Sequence, residues 1–294
     1  MLAIVLALAS AIGYGGSDFA AGLASRSAPV IQITLLASAV SALIVAAALP
    51  FAASPAPSAA ALAWGFGAGL GGTLGAFALY LGFRYAAFSV TAPISAVASA
   101  GFSVLAGLLY GERPTALALT GIVLALPAIV GVSASAASES DARDREAAAT
   151  AAHGRPAAGA VLGLIAGAFF ALMFIGLDRA GSGSGLWPVA ACIAGELVAA
   201  LAAALATRSV RLPGTRSRLL AAITGLASAA ATILFFFATH QGFLAVTAVL
   251  TSLYPAVTIM LARVMLGERL TALRLAGLGL AGVCVSLIAV GGAG

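Results

Sequence analysis

Gly111-Glu112-Arg113-Pro114-Thr115 and Gly267-Glu268-Arg269-Leu270-Thr271 are the same turn written twice, 156 residues apart. The likeness extends without a gap in both directions. Val90-Thr91-Ala92 pairs with Val246-Thr247-Ala248, and Leu105-Ala106 with Leu261-Ala262. Downstream, Thr115-Ala116-Leu117 pairs with Thr271-Ala272-Leu273, and Gly121 with Gly277. Matches of Ala and Leu are cheap in an apolar chain. A Gly-Glu-Arg-x-Thr string at one register in both halves is not, and an internal repeat fixes the architecture before any single residue does.

Working outward from the two turns, the chain divides into ten apolar runs of roughly the 20 residues that a bilayer core requires of a helix. They cover 2–24, 30–50, 61–83, 87–110, 115–134, 158–178, 185–206, 218–239, 243–266 and 271–291. Breaks carry turn chemistry, as in Ser54-Pro55-Ala56-Pro57, Gly181-Ser182-Gly183-Ser184-Gly185 and Arg211-Leu212-Pro213-Gly214. Composition says the same: 62% of residues are hydrophobic, only 8% are charged, and mean hydropathy is +1.14. A soluble domain carries roughly 25% charged residues. Inside lipid the backbone must satisfy its own polar groups, so runs without alternation are helices and not barrel strands. The expected fold is all-α, a polytopic membrane protein with ten transmembrane helices.

Residues 135–157 differ from everything around them. Glu139, Asp141, Arg143, Asp144, Arg145, Glu146, His153 and Arg155 lie there among Ala and Ser. The stretch is too polar for lipid and too poor in large apolar residues for a core, which predicts a flexible linker. The domain reading is a first five-helix repeat over 1–134, the linker over 135–157, and a second repeat over 158–294. Five crossings are an odd number, so the second copy enters the membrane inverted. Inverted repeats recur in secondary transporters, where two halves exchange conformations about a site near the midplane.

At these residues the chain resembles the EamA family of the drug/metabolite transporter superfamily, ten-helix exporters. The two Gly-Glu-Arg-x-Thr turns carry the resemblance, together with Tyr14-Gly15-Gly16-Ser17-Asp18-Phe19 in the first run. That run is similar to the family's aromatic-Gly-x-Asn-Phe segment, with Asp18 where Asn is usual. Pro93 and Pro255 lie in the fourth and ninth runs, where the family often has a Pro, at non-matching offsets. The resemblance implies secondary export of metabolites, amino acids or drug-like compounds.

Ionisable residues inside a membrane are costly and therefore candidates for function. Glu196 stands near the middle of the 185–206 run and is expected to face a central cavity, binding a proton or a cationic group of a small-molecule substrate. Asp18 follows Gly13, Gly15 and Gly16, a segment able to bend or unwind, and either contacts substrate or caps a broken helix. Tyr14 and Tyr80 lie deep enough to line a cavity. Glu112 and Glu268, with Gly111 and Gly267, are expected to be structural, each carboxylate complementing the positive start of the helix that follows it.

Other chemistries find no support. Cys192 and Cys284 are isolated in apolar runs, forming neither a metal motif nor a disulfide framework. No cofactor fingerprint is present: Gly65, Gly67, Gly69, Gly71 and Gly72 fall within an apolar run with no strand before them. No catalytic set appears, so an enzyme is not expected. Net charge is +5, yet all fourteen basic residues are Arg at span ends or in loops, which orients a membrane protein and does not bind nucleic acid. The expected location is the plasma (inner) membrane. Arginine count and family resemblance point to opposite orientations: 12 Arg follow odd-numbered runs and 2 follow even-numbered ones, putting both termini outside, whereas the resemblance implies both inside. An uncoupled facilitator for small solutes is the rival reading of the same architecture.

Overall fold

The computed structural model describes residues 1–25, 27–51, 56–82, 88–134, 156–266 and 272–291. Every long element among them is helical: α1 Leu2–Ser25, α2 Val30–Ala48, α3 Ala59–Gly82, α4 Phe88–Leu109, α5 Ala116–Ala134, α6 Pro156–Arg179, α7 Trp187–Ala206, α8 Thr215–Thr239, α9 Leu244–Thr251, α10 Tyr254–Leu266 and α11 Ala272–Gly291. Large apolar side chains such as Val5, Ile12, Leu43, Val123, Leu172 and Val198 point outward. So many exposed apolar groups on helices suit lipid and not water.

Among the described residues seven stretches, with Leu244–Met265 counted as one, are long and apolar enough to cross a membrane, and three shorter apolar helices, Ile94–Leu109, Ala116–Gly131 and Leu275–Gly291, accompany them. The result is an all-helical polytopic protein, and the expected count of ten full-length spanning helices is not matched exactly among the described residues. Helix bounds follow local chemistry. Ser58 caps α3, its Oγ accepting the Ala61 N–H at 3.1 Å. Pro156 opens α6, two residues inside the segment expected to be linker, where its missing N–H costs nothing. The rest of the expected linker, through 155, lies outside the described residues.

One run departs from expectation. Residues 243–266 are not one helix but two, α9 and α10, divided at Ser252 and Leu253. Pro255 is the cause: it has no N–H for the Thr251 carbonyl, and its ring crowds the preceding turn.

The chain forms two compact units, and each draws on both sides of the linker. One comprises Leu74–Ala171 and Phe243–Gly294, together with Met1, and the other Leu2–Thr73 and Leu172–Gly242. In the latter, α1 and α8 run antiparallel, stitched by hydroxyls. Ser10 Oγ donates to the Ala231 carbonyl at 2.9 Å, and Ser17 Oγ to the Thr224 carbonyl at 3.2 Å. Ser27 and Ser217 share a 2.7 Å hydrogen bond. Ser41 Oγ of α2 donates to the Gly225 carbonyl at 2.8 Å. Interhelical bonds of this kind contribute about 0.6–2 kcal/mol each in a membrane. Helix α3 lies against α7 through glycines: Gly65 meets the Pro188 backbone, and Gly69 the Cys192 carbonyl.

In the other unit α5 and α11 are antiparallel. Gly121 faces Leu287 while Gly131 faces Gly277. Thr115 does two jobs there, its Oγ1 donating to the Gly291 carbonyl at 2.9 Å and accepting the Ala118 N–H as the cap of α5. Gly163 and Gly167 of α6 let that helix close on Ile94 and Ala98 of α4.

Candidate functional site

Glu196 sits at mid-length of α7. At about 100° per residue, the outward residues Ala194, Val198 and Leu205 define the lipid face of this helix, and Glu196 lies roughly opposite them on the inner face with Cys192, Ala199 and Ala203. The Cys192 thiol is 4.0 Å from Glu196 Oε1, one turn earlier on the same face. Thr73 Oγ1 of α3 donates to the Glu196 carbonyl at 3.4 Å. A methyl group on Gly72 would stand 2.8 Å from the Met173 sulfur and 3.8 Å from Glu196 Oε1. The absent side chain at Gly72 therefore lets the Met173 thioether pack onto α3 beside the Glu196 carboxylate. Among the described residues no cation pairs with Glu196.

Tyr14 joins this group from α1. Its hydroxyl is 3.0 Å from Thr232 Oγ1, and Thr232 Oγ1 in turn donates to the Ser228 carbonyl at 2.9 Å. With the threonine proton committed to Ser228, the phenol is the donor, and its own oxygen remains able to accept. Glu196, Cys192 and Asp18 all act electrostatically on the Tyr14 phenol. Three of the four residues predicted for coupling or cavity lining, Glu196, Asp18 and Tyr14, are thus neighbours in one unit. The fourth, Tyr80, lies in the C-terminal part of α3, which belongs to the other unit, and its side chain is outside the described set.

Asp18 resolves one of its two expected roles. Helix α1 is continuous from Leu2 to Ser25, through Gly13, Gly15 and Gly16. There is no broken helix for Asp18 to cap. Gly13 serves packing instead, since a Cβ there would press on Ala231, and continuity is what hydrocarbon demands of a backbone.

Glu112 corrects a second expectation. Its carboxylate reaches beyond α5, the helix that follows it. Oε2 accepts the Ala245 N–H at 2.9 Å and Oε1 accepts the Leu244 N–H, so it caps α9, more than 130 residues away. Phe243, the residue before α9, has no side-chain acceptor to offer. Gly111 makes the turn possible with φ +93, a left-handed conformation that glycine adopts without strain. Gly267 and Glu268 lie outside the described residues. Glu112→Ala is expected to leave two amides unmet and cost about 1–3 kcal/mol. Hydrogen exchange at 244–247 should rise well above wild type, and unchanged exchange there would contradict the assignment.

Sequence reasoning missed Thr232, Thr73 and Met173, none of which has a local signal, and named Gly72 only among the glycines of an apolar run. Cys192 had one, since its four-residue spacing from Glu196 puts both on one helix face.

Residues 1–134 match the EamA-like transporter family, and that stretch of the chain is EamA-like, as the two motifs suggested. The chain is accordingly a multi-pass integral membrane protein whose first 134 residues match that family. A solved crystal structure is similar to 96% of this chain over 97% of its own length, with a TM-score of 0.73 at 14% identity, a likeness of fold. No curated protein matches the chain by sequence.

Proposed function

We propose that this chain is a secondary transporter that exports small metabolites, amino acids or drug-like compounds across the plasma membrane by alternating access. Its moving parts are two inverted five-helix halves, 1–134 and 158–294. Support for inversion comes from contacts that repeat at the sequence offset. Gly121 against Leu287 becomes Gly277 against Gly131 when 156 is added to one position and subtracted from the other, and the two equivalent helices are antiparallel. Gly69 and Gly225, also 156 apart, each press on a backbone carbonyl of the second helix of the other half, those of Cys192 and Ala37.

The observation that carries the mechanism is Glu196 on the inner face of α7 with no cationic partner among the described residues. A charge so placed is costly. It is relieved either by a proton or by a positively charged group of the substrate, and one carboxylate cannot hold both. Release of one on binding of the other is the elementary event of proton-coupled exchange. Met173, Tyr14 and Cys192 provide polarisable walls for an organic cation. Glu196 and Asp18 are the coupling and substrate residues of this reading.

Purified protein in vesicles tests it. A panel of amine-bearing solutes should leave faster under an imposed proton gradient, with matching proton movement. Solute flux indifferent to the gradient would instead define an uncoupled facilitator.

A further inference from the structure

Exposure along one face of α1 changes in a single direction. Ala7 and Ala11 are 0% and 3% exposed, Tyr14 is half-buried, and Asp18, Gly22 and Ser25 are exposed. These residues share a face at helical spacing. It is not the lipid face. The outward apolar residues Leu2, Val5 and Ile12 lie roughly 120–160° away from Asp18 around the helix. Asp18 is thus exposed on a side of α1 other than the one that carries its outward apolar residues.

The inner face of α7 shows the same gradient. Cys192 is fully buried, whereas Glu196, Ala199 and Ala203 are half-buried. Both gradients open toward the same end. Helix α1 runs antiparallel to α8, and the short link 207–214 returns the chain from α7 into α8, so α1 and α7 run in the same direction. Their C-terminal ends lie together, beside the exposed Arg208, Arg211, Arg216 and Arg218.

We propose that Asp18 is the outer carboxylate of a one-ended aqueous vestibule that runs along α1 and α7 from their C-terminal ends to Glu196, and that it draws protonated amines past the arginine-rich mouth. Gly22 widens the passage, since a Cβ placed there meets nothing within 4 Å. The buried Ala7–Ala11 stretch, with the Tyr14–Thr232 pair, closes the other end. The role given to Asp18 in attracting solute rests on the transport reading above; the vestibule itself does not.

Thiol accessibility separates the two. In a Cys284→Ser background, with Cys192 retained because it is buried, single cysteines are placed at Asp18, Gly22, Ala11 and Ile12. Thr207→Cys marks the mouth side. A membrane-impermeant charged methanethiosulfonate is applied to either face of sealed vesicles. Asp18→Cys and Gly22→Cys should react from the face that modifies Thr207→Cys and from that face alone. Ala11→Cys, in the closed stretch, and Ile12→Cys, on the lipid side, should react at least tenfold more slowly. If Asp18→Cys is inert from both faces, reacts from the opposite face, or is no faster than Ile12→Cys, the vestibule is refuted whether or not any solute moves. Where flux is measurable, Asp18→Asn should raise the KM for an amine at least fivefold, whereas a merely structural role would lower Vmax with KM unchanged. An unchanged KM beside positive labelling would remove Asp18 from the substrate path and leave the vestibule standing.

Discussion

Glu196→Gln is expected to lower proton-driven efflux of an amine at least tenfold, with loss of the accompanying proton movement. Gln keeps the size of the side chain and an oxygen for the Cys192 thiol, so packing is preserved. It carries no charge and exchanges no proton in the working range. A tenfold fall corresponds to about 1.4 kcal/mol, modest for a carboxylate inside a membrane with no cationic partner among the described residues. Glu196→Asp keeps the charge but withdraws it by one methylene, and an intermediate rate is expected. Asp18 is the other carboxylate that acts on the Tyr14 phenol beside Glu196. Residual coupling in the variant should therefore vanish when Asp18→Asn is added. Vesicles loaded with amine and given an inward or outward pH step provide the measurement. Wild-type flux and wild-type pH dependence in Glu196→Gln would end the proposal for this residue.

The second large effect concerns stability. Gly69→Ala and Gly225→Ala should each destabilise the helix bundle by about 1–3 kcal/mol, the usual cost of overpacking a tight core. The added carbon meets the Cys192 carbonyl in one case and the Ala37 carbonyl in the other. Both obstacles are backbone, so no rotamer change relieves them. Gly67→Ala, two residues from Gly69 on the same helix, meets nothing within 4 Å. It should be neutral or stabilising by up to about 1 kcal/mol from helix propensity. Thermal unfolding in detergent compares the three. Equal melting temperatures for Gly67→Ala and Gly69→Ala would mean that α3 and α7 are not in close contact. Gly69 also presses on the Glu196 backbone nitrogen, so flux should fall with stability in Gly69→Ala and not in Gly225→Ala.

The candidate site was legible in part. Glu196 stood out because a carboxylate in mid-span is rare, and Asp18 and Tyr14 because they interrupt an apolar run beside glycines. Their partners were invisible. Thr232 reaches Tyr14, and Gly72 admits Met173 beside Glu196, across sequence separations of 218 and over 100 residues, and nothing local distinguishes them from other small or hydroxylated residues. Glu112 was read as structural, but the helix it serves was misjudged, because a carboxylate in a turn can reach any helix start that folding brings within range.

Sequence alone determined that the chain is helical, lipid-embedded and internally duplicated. Those properties follow from a solvent that forbids unpaired backbone polar groups and from a repeated string, and both are written residue by residue. Only the tertiary structure decided that the ninth run breaks ahead of Pro255, that α1 stays whole through its glycines, and which face of α1 Asp18 occupies. These depend on what packs against each helix, and packing joins segments that the chain keeps far apart.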